Sequence, residues 1–399
     1  MSAPDNGKTL QAPRDTAKIV RDPRKIVEER RVSFERKTET SMEAIRHEAF
    51  DPEAIAPNIE KLVGAVHVPL GIAGPVRVHG DHARGDYFVP FATTEGTLVA
   101  GYTLGMLALT RAGGVNVKVL SEKVDLTPIF ELKSLAAAYE FAQWLDDNID
   151  TIRMDCEATT RHGQLLELRS TIIGRRVFTH FVFDAKDAMG MNMISFATHS
   201  ACDALMKQRP DVIRYYLRSN LSADKKPAFS NFIHGYGKEV VAEATISRKI
   251  IQKYMNSTPE DMTDFWHASV LSGLQAGTIG HNAHIANGLA AIYIATGQDV
   301  AQIVNASQAI VSAEVTDGGD FYMALRAPCL IVATVGGGTN IDSQRECLQI
   351  MGCHGTGKSN KFAEIVAATL LAGELSIGSA LANDRFIHAH KQKRSLAPN

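Results

Sequence analysis

The chain has 399 residues, of which 45% are hydrophobic and 22% charged, so its composition is that of a globular protein of two or three domains. Its 42 Lys and Arg residues nearly balance its 44 Asp and Glu residues, and the resulting net charge of −2 excludes strong electrostatic attraction to nucleic acid or an anionic membrane. The five cysteines include no C-x-x-C pair, so they predict neither a disulfide framework nor a metal site and favour a reducing cytoplasm.

The first half of the chain shows three kinds of local pattern. Residues 1–57 begin with a highly charged stretch poor in large apolar side chains, which predicts an N-terminal arm or helical segment. β-Branched residues punctuated by Gly and Pro over Leu62–Gly80 predict short strands and tight turns. The apolar spacing of Thr93–Gly114 predicts a helix that Thr94 caps and that Gly113–Gly114 ends.

The rest of the chain mixes hairpins with helices. Leu166–Ala185 alternates on both sides of Gly174, which predicts a β-hairpin, and Asp187–Gln208 is predicted to follow directly as a helix. The apolar tract Ile365–Ala382 contains Gly, Glu and Ser, so we expect a buried helix there and no membrane span. Because βαβ units are absent from this pattern, the sequence predicts an α+β fold. Further strands are expected at Val240–Ile246 and Tyr322–Val335, and further helices at Ala283–Ala295 and Lys361–Leu381.

The stretch GCHGTGKS (Gly352–Ser359) satisfies the phosphate-loop pattern G-x-x-x-x-G-K-[ST] letter for letter. A working phosphate loop leaves a buried strand and opens a helix. Here the preceding segment, Asp342–Met351, is polar with helical spacing, and only 40 residues follow Ser359. We therefore expect a Gly-rich loop between two helices, and a triphosphatase is kept only as an alternative function.

Several polar residues stand where neither a core nor a plain surface requires them. They are Glu95 in the first turn of an apolar helix, Asp224, Lys225 and Lys226 before a proline, Asp299 after a helix that Gly297 caps, and His388 and His390 near the C-terminus. Taken singly, each has an ordinary explanation as a helix-dipole acid, a solvated charge run, a surface turn or an exposed end.

Taken together, these residues lie in motifs of a known family. The stretches TTEG (93–96), DAMGMNM (187–193), DKKP (224–227), GQD (297–299) and VGGGT (335–339) resemble those of 3-hydroxy-3-methylglutaryl-CoA (HMG-CoA) reductase, class I type. LVG…PLGIAGPV (62–76), AGTIGHNAH (276–284) and LLAGELS (370–376) extend the resemblance, which covers about 58–391.

The resemblance implies a specific architecture. A large mixed α/β substrate and dimerisation domain with a long central helix would comprise 58–127 and 217–399. A small, ferredoxin-like, non-Rossmann dinucleotide-binding domain would be inserted at 128–216. The family's active sites form between subunits, so we expect a homodimer or a dimer of dimers, with Ile59–Gly64 as the dimer strand.

The resemblance also implies the chemistry, a two-step reduction of an acyl thioester to an alcohol by two NADPH. Lys225 would stabilise the oxyanion and Asp299 would keep that lysine protonated. His390 would protonate the departing thiolate. Glu95 would protonate the oxygen of the aldehyde intermediate, and burial together with the nearby Asp299 would raise its pKa for that task.

Cofactor and substrate residues follow from the same motifs. Thr160 and Arg161 match a pair that meets the 2′-phosphate, which favours NADP over NAD. The other residues implied at the cofactor are Asp187, Met189, Gly190, Met191, Asn192, Met193, Val335, Gly336 and Gly337, and those implied at the substrate are Asp224, Lys226 and Asn287. Metal ligands are not implied.

The chain departs from the family in the residues that hold the substrate. The CoA-contacting basic residues are missing from Gly101–Leu107, a lysine is missing from Phe265–Gly277, and Leu126 replaces the arginine that binds the distal carboxylate of the glutaryl group. Lys226, Arg218, Lys118 and Lys123 are candidates to compensate.

Reduction of HMG-CoA to mevalonate, in isoprenoid biosynthesis, is the first functional hypothesis. The alternatives are the same chemistry on another acyl thioester, carried by CoA or a carrier protein, and a non-catalytic dinucleotide-binding homologue.

Overall fold

The computed structural model describes residues 22–38, 51–56, 58–160, 163–184 and 186–383, and the chain divides into two compact units, Met1–His67 and Val68–Asn399. The first unit contains helices α1 (Pro23–Thr38) and α2 (Pro52–Ile55). Asp51 caps α2 by accepting a hydrogen bond of 3.2 Å from the backbone N–H of Glu53. Residues 59–64, the expected dimer strand, have no regular secondary structure in the single chain.

The second unit is built on a ten-stranded sheet in the order β7-β4-β6-β3-β8-β10-β9, with β1 between β2 and β3 and with β5 beside β6. The described strand pairs are antiparallel except for a two-residue parallel contact between β1 and β3. This mixed helix and strand architecture confirms the α+β class. The strands are β1 (Leu70–His79), β2 (Arg84–Ala92), β3 (Val115–Leu126), β4 (Ile129–Glu131), β5 (Gln164–Ile173), β6 (Arg176–Asp184), β7 (Arg214–Tyr216), β8 (Gly237–Ile246), β9 (Ile310–Val315) and β10 (Phe321–Leu330).

The helices of the second unit cover this sheet and connect its strands. They are α3 (Leu98–Arg111), α4 (Leu135–Asp147), α5 (Ile149–Glu157), α6 (Met191–Gln208), α7 (Phe229–His234), α8 (Arg248–Ile250), α9 (Pro259–Ala276), α10 (Ile285–Thr296), α11 (Ile303–Ala306), α12 (Asp342–Ile350) and α13 (Ser359–Ala382). A π-helical turn, Ile251–Met255, continues α8.

The sequence predicted the β5–β6 hairpin correctly. Ile173 pairs with Arg176, and Gly174 makes the turn at a φ of +61°, a conformation that favours glycine. The helix predicted directly after the hairpin begins later, at Met191, because Gly190 has a φ of +80° and lies outside the helical region. Local sequence pattern therefore predicts which helices and strands form more accurately than it predicts where they begin and end.

Helix α3 forms as predicted and ends at the predicted glycines, but its start differs from the expectation. Thr97 has a φ of +76° and Leu98 is the first helical residue. The predicted cap at Thr94 is therefore wrong, and Glu95 lies in the loop before the helix.

Helix α13 runs through the middle of the larger hydrophobic core. By length and composition it could cross a membrane, but 78% of its most apolar window is buried inside the structure, as in the central helix of a globular core. The ring of Tyr102 on α3 is held tightly beside it. A Cβ atom at Gly373 of α13 would lie 2.3 Å from Tyr102 Cζ, and one at Gly288 of α10 would lie 2.0 Å from Tyr102 Oη. Glycine is therefore required at both places.

A second hydrophobic core is formed mainly by side chains from 124–212, including Phe130, Phe141 and Phe181. It lies between α4, α5 and α6 and the β4–β6 part of the sheet. A separate core is what an inserted small domain needs, although the boundaries 128–216 and its ferredoxin-like topology remain predictions.

Two carboxylates on α13 are fully buried and bind backbone N–H groups of other segments. Glu364 accepts from Asp81, His82 and Ala83 in the turn between β1 and β2, at 3.1, 2.9 and 2.6 Å. Glu374 likewise accepts hydrogen bonds from backbone N–H groups at the start of α10. These bonds connect the central helix to the sheet on one side and to α10 on the other.

Glu374 accepts hydrogen bonds from the backbone N–H groups of Ala283 and His284, at 2.7 and 2.9 Å. The Nδ1 atom of His284 lies 3.1 Å from the same carboxylate. Because an anion at a helix N-terminus is stabilised by the unpaired N–H groups there, Glu374 determines where α10 begins.

We predict that Glu364→Gln and Glu374→Gln each lower the free energy of unfolding by about 3 kcal/mol, because an amide nitrogen would face backbone N–H donors in a dry site. Urea denaturation measures this loss. Glu346→Gln, an exposed position on α12, is the control and should change stability by less than about 0.5 kcal/mol. Equal small effects at all three positions would contradict the role of the buried carboxylates.

Candidate active site

The DKKP loop has a strained backbone that buried amide side chains hold in place. Ala223 and Lys225 have φ values of +52° and +56°, in the left-handed region that disfavours L-residues by roughly 1–2 kcal/mol each. The backbone N–H of Lys226 donates to Asn305 Oδ1 at 2.9 Å, and the carbonyl of Ala223 accepts from Asn231 Nδ2 at 2.8 Å. The surroundings therefore impose this conformation and direct the side chain of Lys225.

Lys225 and Asp299 form an ion pair, with Nζ and Oδ2 2.6 Å apart. Asp299 reaches this position because Gly297 ends α10 at a φ of +68°, and its other oxygen accepts from the backbone N–H of Ala301 at 3.1 Å. The lysine side chain is 39% exposed. The Nζ atom of Lys225 is thus held at a surface where a ligand oxygen can reach it.

Glu95 and Asn287 form a second pair, in which Asn287 Nδ2 donates to Glu95 Oε2 at 2.8 Å. Asn287 lies in the first turn of α10, whose start Glu374 fixes. Asp299 lies three residues after the end of the same helix, so α10 positions Asn287 of one pair and Asp299 of the other. Glu95 is exposed in the single chain, and the burial expected for it is therefore absent here.

A groove of about 570 Å³ lies beside the Glu95–Asn287 pair. Its walls are mostly apolar, contributed by α3 and the last turns of α13, including Leu98, Leu104 and Ile377. A concave, apolar surface with a carboxylate and an amide at one side is typical of a small-molecule site.

The predicted cofactor segments DAMGMNM and VGGGT lie next to one another. The backbone N–H of Thr334 donates to the carbonyl of Asp187 at 2.9 Å. Gly336 and Gly337 have positive φ values, and a Cβ at either would have nothing within 4 Å. A glycine backbone with open space around it, beside the N-terminus of α6 that Gly190 precedes, is a surface that can receive the phosphates of a dinucleotide.

The carboxylate of Asp187 does not point into this open surface. It accepts hydrogen bonds from the backbone N–H groups of Gly357 and Ser359, at 2.7 and 3.1 Å. Burial alone would raise the pKa of Asp187, but these hydrogen bonds outweigh it and hold the pKa below the usual value. The anion at the N–H groups of the GCHGTGKS stretch is thus a carboxylate of the same chain, and this stretch is a loop between α12 and α13, as the sequence predicted.

Of the two residues predicted at the 2′-phosphate, the structure describes Thr160 but not Arg161. Thr160 Oγ1 accepts from the backbone N–H of Gly163 at 3.0 Å, and a Cβ at Gly163 would lie 2.6 Å from Met193 Cε, so this turn adjoins the first turn of α6. Arg161 and His390 lie outside the described residues. In the described part of the chain, no group of three His, Cys, Asp or Glu residues could hold a metal ion.

Comparisons with known proteins identify the family. A family model described as hydroxymethylglutaryl-coenzyme A reductase matches residues 26–395. The chain belongs to this family. A relative from Pyrococcus abyssi named 3-hydroxy-3-methylglutaryl-coenzyme A reductase is 42% identical, with 93% of each chain covered. One of the same name from Methanocaldococcus jannaschii is 40% identical over 91% of each chain.

Solved structures show the same fold at lower identity. The class II 3-hydroxy-3-methylglutaryl-CoA reductase from Streptococcus pneumoniae, described as bound to NADPH, matches with a TM-score of 0.66 and 19% identity, covering 89% of this chain and 96% of that one. The mixed helix and strand architecture with its antiparallel sheet is thus that of HMG-CoA reductases.

Two of the three predicted substrate residues, Asp224 and Lys226, lie together, whereas the third, Asn287, binds Glu95. Asp224 Oδ1 accepts from Gln302 Nε2 at 2.9 Å, and its Oδ2 lies 3.7 Å from the guanidinium of Arg218. The ammonium of Lys226 donates to the carbonyl of Asp224 at 3.1 Å. Sequence reasoning missed Gln302 and the other amides of this loop, although polar residues inside the apolar stretch AQIVNASQAIV were a signal that they are buried and bonded.

Leu126, where the family has its carboxylate-binding arginine, is fully buried in the second core, and its backbone pairs with Phe181 across β3 and β6. Because this side chain reaches no surface, it does not contact a substrate, and the expectation that another cation compensates for the missing arginine stays a prediction. Lys118, one candidate to compensate, is bound to Asp81 at 2.6 Å.

We predict that Asp187→Asn lowers stability at neutral pH by about 1 kcal/mol, the usual effect of losing a carboxylate that caps a helix. Because the folded pKa of Asp187 is depressed, its contribution is fully present above the unfolded pKa of about 3.9 and is lost as pH falls through the folded pKa. Urea midpoints of wild type and variant, measured from pH 7 to pH 3, should therefore converge in acid. A difference that is unchanged at pH 3 would contradict the assignment.

Proposed function

We propose that this protein reduces HMG-CoA to mevalonate and free CoA with two NADPH. The observation that carries the proposal is the Lys225–Asp299 ion pair on a strained, amide-bound loop, in a chain that belongs to the HMG-CoA reductase family. NADPH, where bound, supplies one hydride in each of two reductions.

In the first reduction the thioester carbonyl oxygen gains negative charge as its carbon accepts a hydride. Lys225 donates a hydrogen bond to that oxygen, while Asp299 favours the charged form of the amine. When the C–S bond breaks, the thiolate needs a proton, and we assign its delivery to His390. The products of this step are the aldehyde and the free thiol.

In the second reduction the aldehyde carbon accepts a hydride and its oxygen accepts a proton, which yields the alcohol. We assign this proton to Glu95, whose carboxyl Asn287 orients through the 2.8 Å hydrogen bond. Glu95 is exposed in the single chain, and we expect a second subunit and bound substrate to cover it.

We infer that the cofactor lies along the open backbone of Gly336 and Gly337 and the start of α6, in a small domain formed by 128–216. The residues assigned there by resemblance keep that assignment, with Asp187 acting through its backbone and as a cap of α13. Thr160 and Arg161 are proposed to bind the 2′-phosphate. A homodimer or dimer of dimers in the cytoplasm, and a class I type of active site, are part of the same proposal.

We predict that Lys225→Ala lowers kcat by about 10²–10³-fold, the scale seen when one oxyanion donor is removed, and leaves NADPH affinity within about 3-fold. Oxidation of NADPH followed by absorbance gives kcat, and fluorescence titration gives the affinity. Lys118→Ala removes an exposed, ion-paired lysine from β3 and is the matched control. Turnover near the wild-type level in Lys225→Ala would remove this residue from the mechanism.

We predict that His390→Gln damages reduction of HMG-CoA far more than reduction of the free aldehyde, mevaldehyde. Only the thioester has a thiolate to protonate, so general acid catalysis worth about 10²-fold should be lost from the first reaction alone. The two rates are measured separately with saturating NADPH. Equal losses in both reactions would assign His390 some other task.

A further inference from the structure

One face of strands β3, β5 and β6 carries charged side chains that the proposed reaction does not use. Leu126, Phe181 and other apolar residues of these strands point into the second core. Because successive side chains of a strand alternate between the two faces of a sheet, their neighbours point the other way. On that face, away from the second core, the three strands carry Lys123, Asp125, Glu167, Arg169 and His180.

These five side chains line a small cavity. The turn before the DKKP loop and helix α7 form its other walls, which include Ser222, Asn231 and His234. The volume of the cavity is about 30 Å³, which is room for about two water molecules. The cavity is therefore large enough for a small ion and too small for a nucleotide.

Two cations in this cavity have no counter-charge. Lys123 and Arg169 are both partly buried, and neither forms an ion pair with a carboxylate in the described part of the chain. On the neighbouring strands, by contrast, Lys238 is paired with Glu122. Because a partly buried charge without a partner is unfavourable, an anion from solution would stabilise these two side chains.

The carboxylate of Asp125 is engaged by other groups. Its Oδ2 atom is bonded to Nδ1 of His180, and the hydroxyl of Thr127 donates to the same oxygen at 3.1 Å. These bonds fix the orientation of the imidazole of His180, which is only 8% exposed. Its Nε2 atom has no hydrogen-bond partner among the described residues, so a protonated ring could donate a further hydrogen bond there.

The electrostatic effect of these groups is visible at His234, the last residue of α7. The pKa of His234 lies below its usual value because of desolvation first and then of three nearby cations, Arg169, Lys123 and His180. Glu167 acts in the opposite direction and does not offset them. The potential in the cavity is therefore positive, and a bound anion would favour the protonated form of His234.

We propose that this cavity binds a small tetrahedral oxyanion such as inorganic phosphate, which Lys123, Arg169 and His180 hold. A guanidinium and an ammonium are the side-chain groups that proteins use to bind phosphate oxygens. The same two groups would repel a metal cation. The site lies on the face of the sheet away from α6 and the proposed cofactor surface, and the inference does not depend on the proposed function.

Calorimetric titration of the full-length protein with sodium sulfate tests the site, because sulfate has the shape of phosphate and keeps its charge near neutral pH. We expect saturable binding with a Kd of about 1 mM or tighter. Lys123→Gln and Arg169→Gln should each weaken binding by about 10-fold or more, the usual effect of losing a charge-assisted hydrogen bond. Arg176→Gln removes an exposed arginine from the same hairpin, and this control should change Kd by less than about 2-fold.

The pH dependence of the same titration tests the part played by His234. Lowering the pH from about 8 to about 6 should tighten sulfate binding by roughly 3-fold, since His234 gains a proton more readily when the anion is bound. An affinity that does not change, or that falls in acid, would remove His234 from the site.

Two results would overturn the proposal itself. One is the absence of saturable binding by the wild-type protein up to about 20 mM sulfate, well above the expected Kd. The other is equal binding by the wild type, Lys123→Gln and Arg169→Gln, which would place the ion elsewhere. If Arg169→Gln does not fold, Lys123→Gln decides the question alone, because it removes the second cation of the same cavity.

Discussion

The active-site geometry depends on one buried carboxylate, Glu374. It lies in the middle of the most buried helix and binds the backbone that begins α10. That helix then presents Asn287 at one end and Asp299 just beyond the other, and these two residues position Glu95 and Lys225. An apolar side chain at 374 would pack, but it would leave the N–H groups at the start of α10 without a partner in a dry environment.

The DKKP loop illustrates a second constraint, namely that its backbone conformation is maintained by side chains distant in sequence. Left-handed residues at 223 and 225 are unfavourable in isolation. Amides from α7 and α11 hold the loop by its carbonyl and N–H groups, so the position of Lys225 is determined by packing more than by local preference. Such a site is rigid before substrate arrives, which is what stabilisation of a developing charge requires.

Sequence reasoning recovered those features that local pattern determines. Alternation around Gly174, the apolar period of α3 and the glycine after α10 each gave the right element. Prediction from sequence failed where tertiary contacts determine the backbone conformation. At the start of α3, for example, Thr97 adopts a positive φ that no residue propensity indicates. Motif resemblance predicted the pairing of Lys225 with Asp299 but not the bond between Glu95 and Asn287, and it did not indicate that Leu126 is buried. Burial of that residue comes from pairing between β3 and β6, which the motif does not encode.

Two hydrogen bonds connect the carboxylate of Asp187 to the backbone at the start of α13. With 24 residues that helix is about 36 Å long, and its packed side chains leave it little freedom to bend. One end is tied to the segment that precedes α6, and the other leads toward the C-terminal residues. Because a long, packed helix is stiff, we expect a displacement of the proposed cofactor surface to be accompanied by a displacement of the far end of α13.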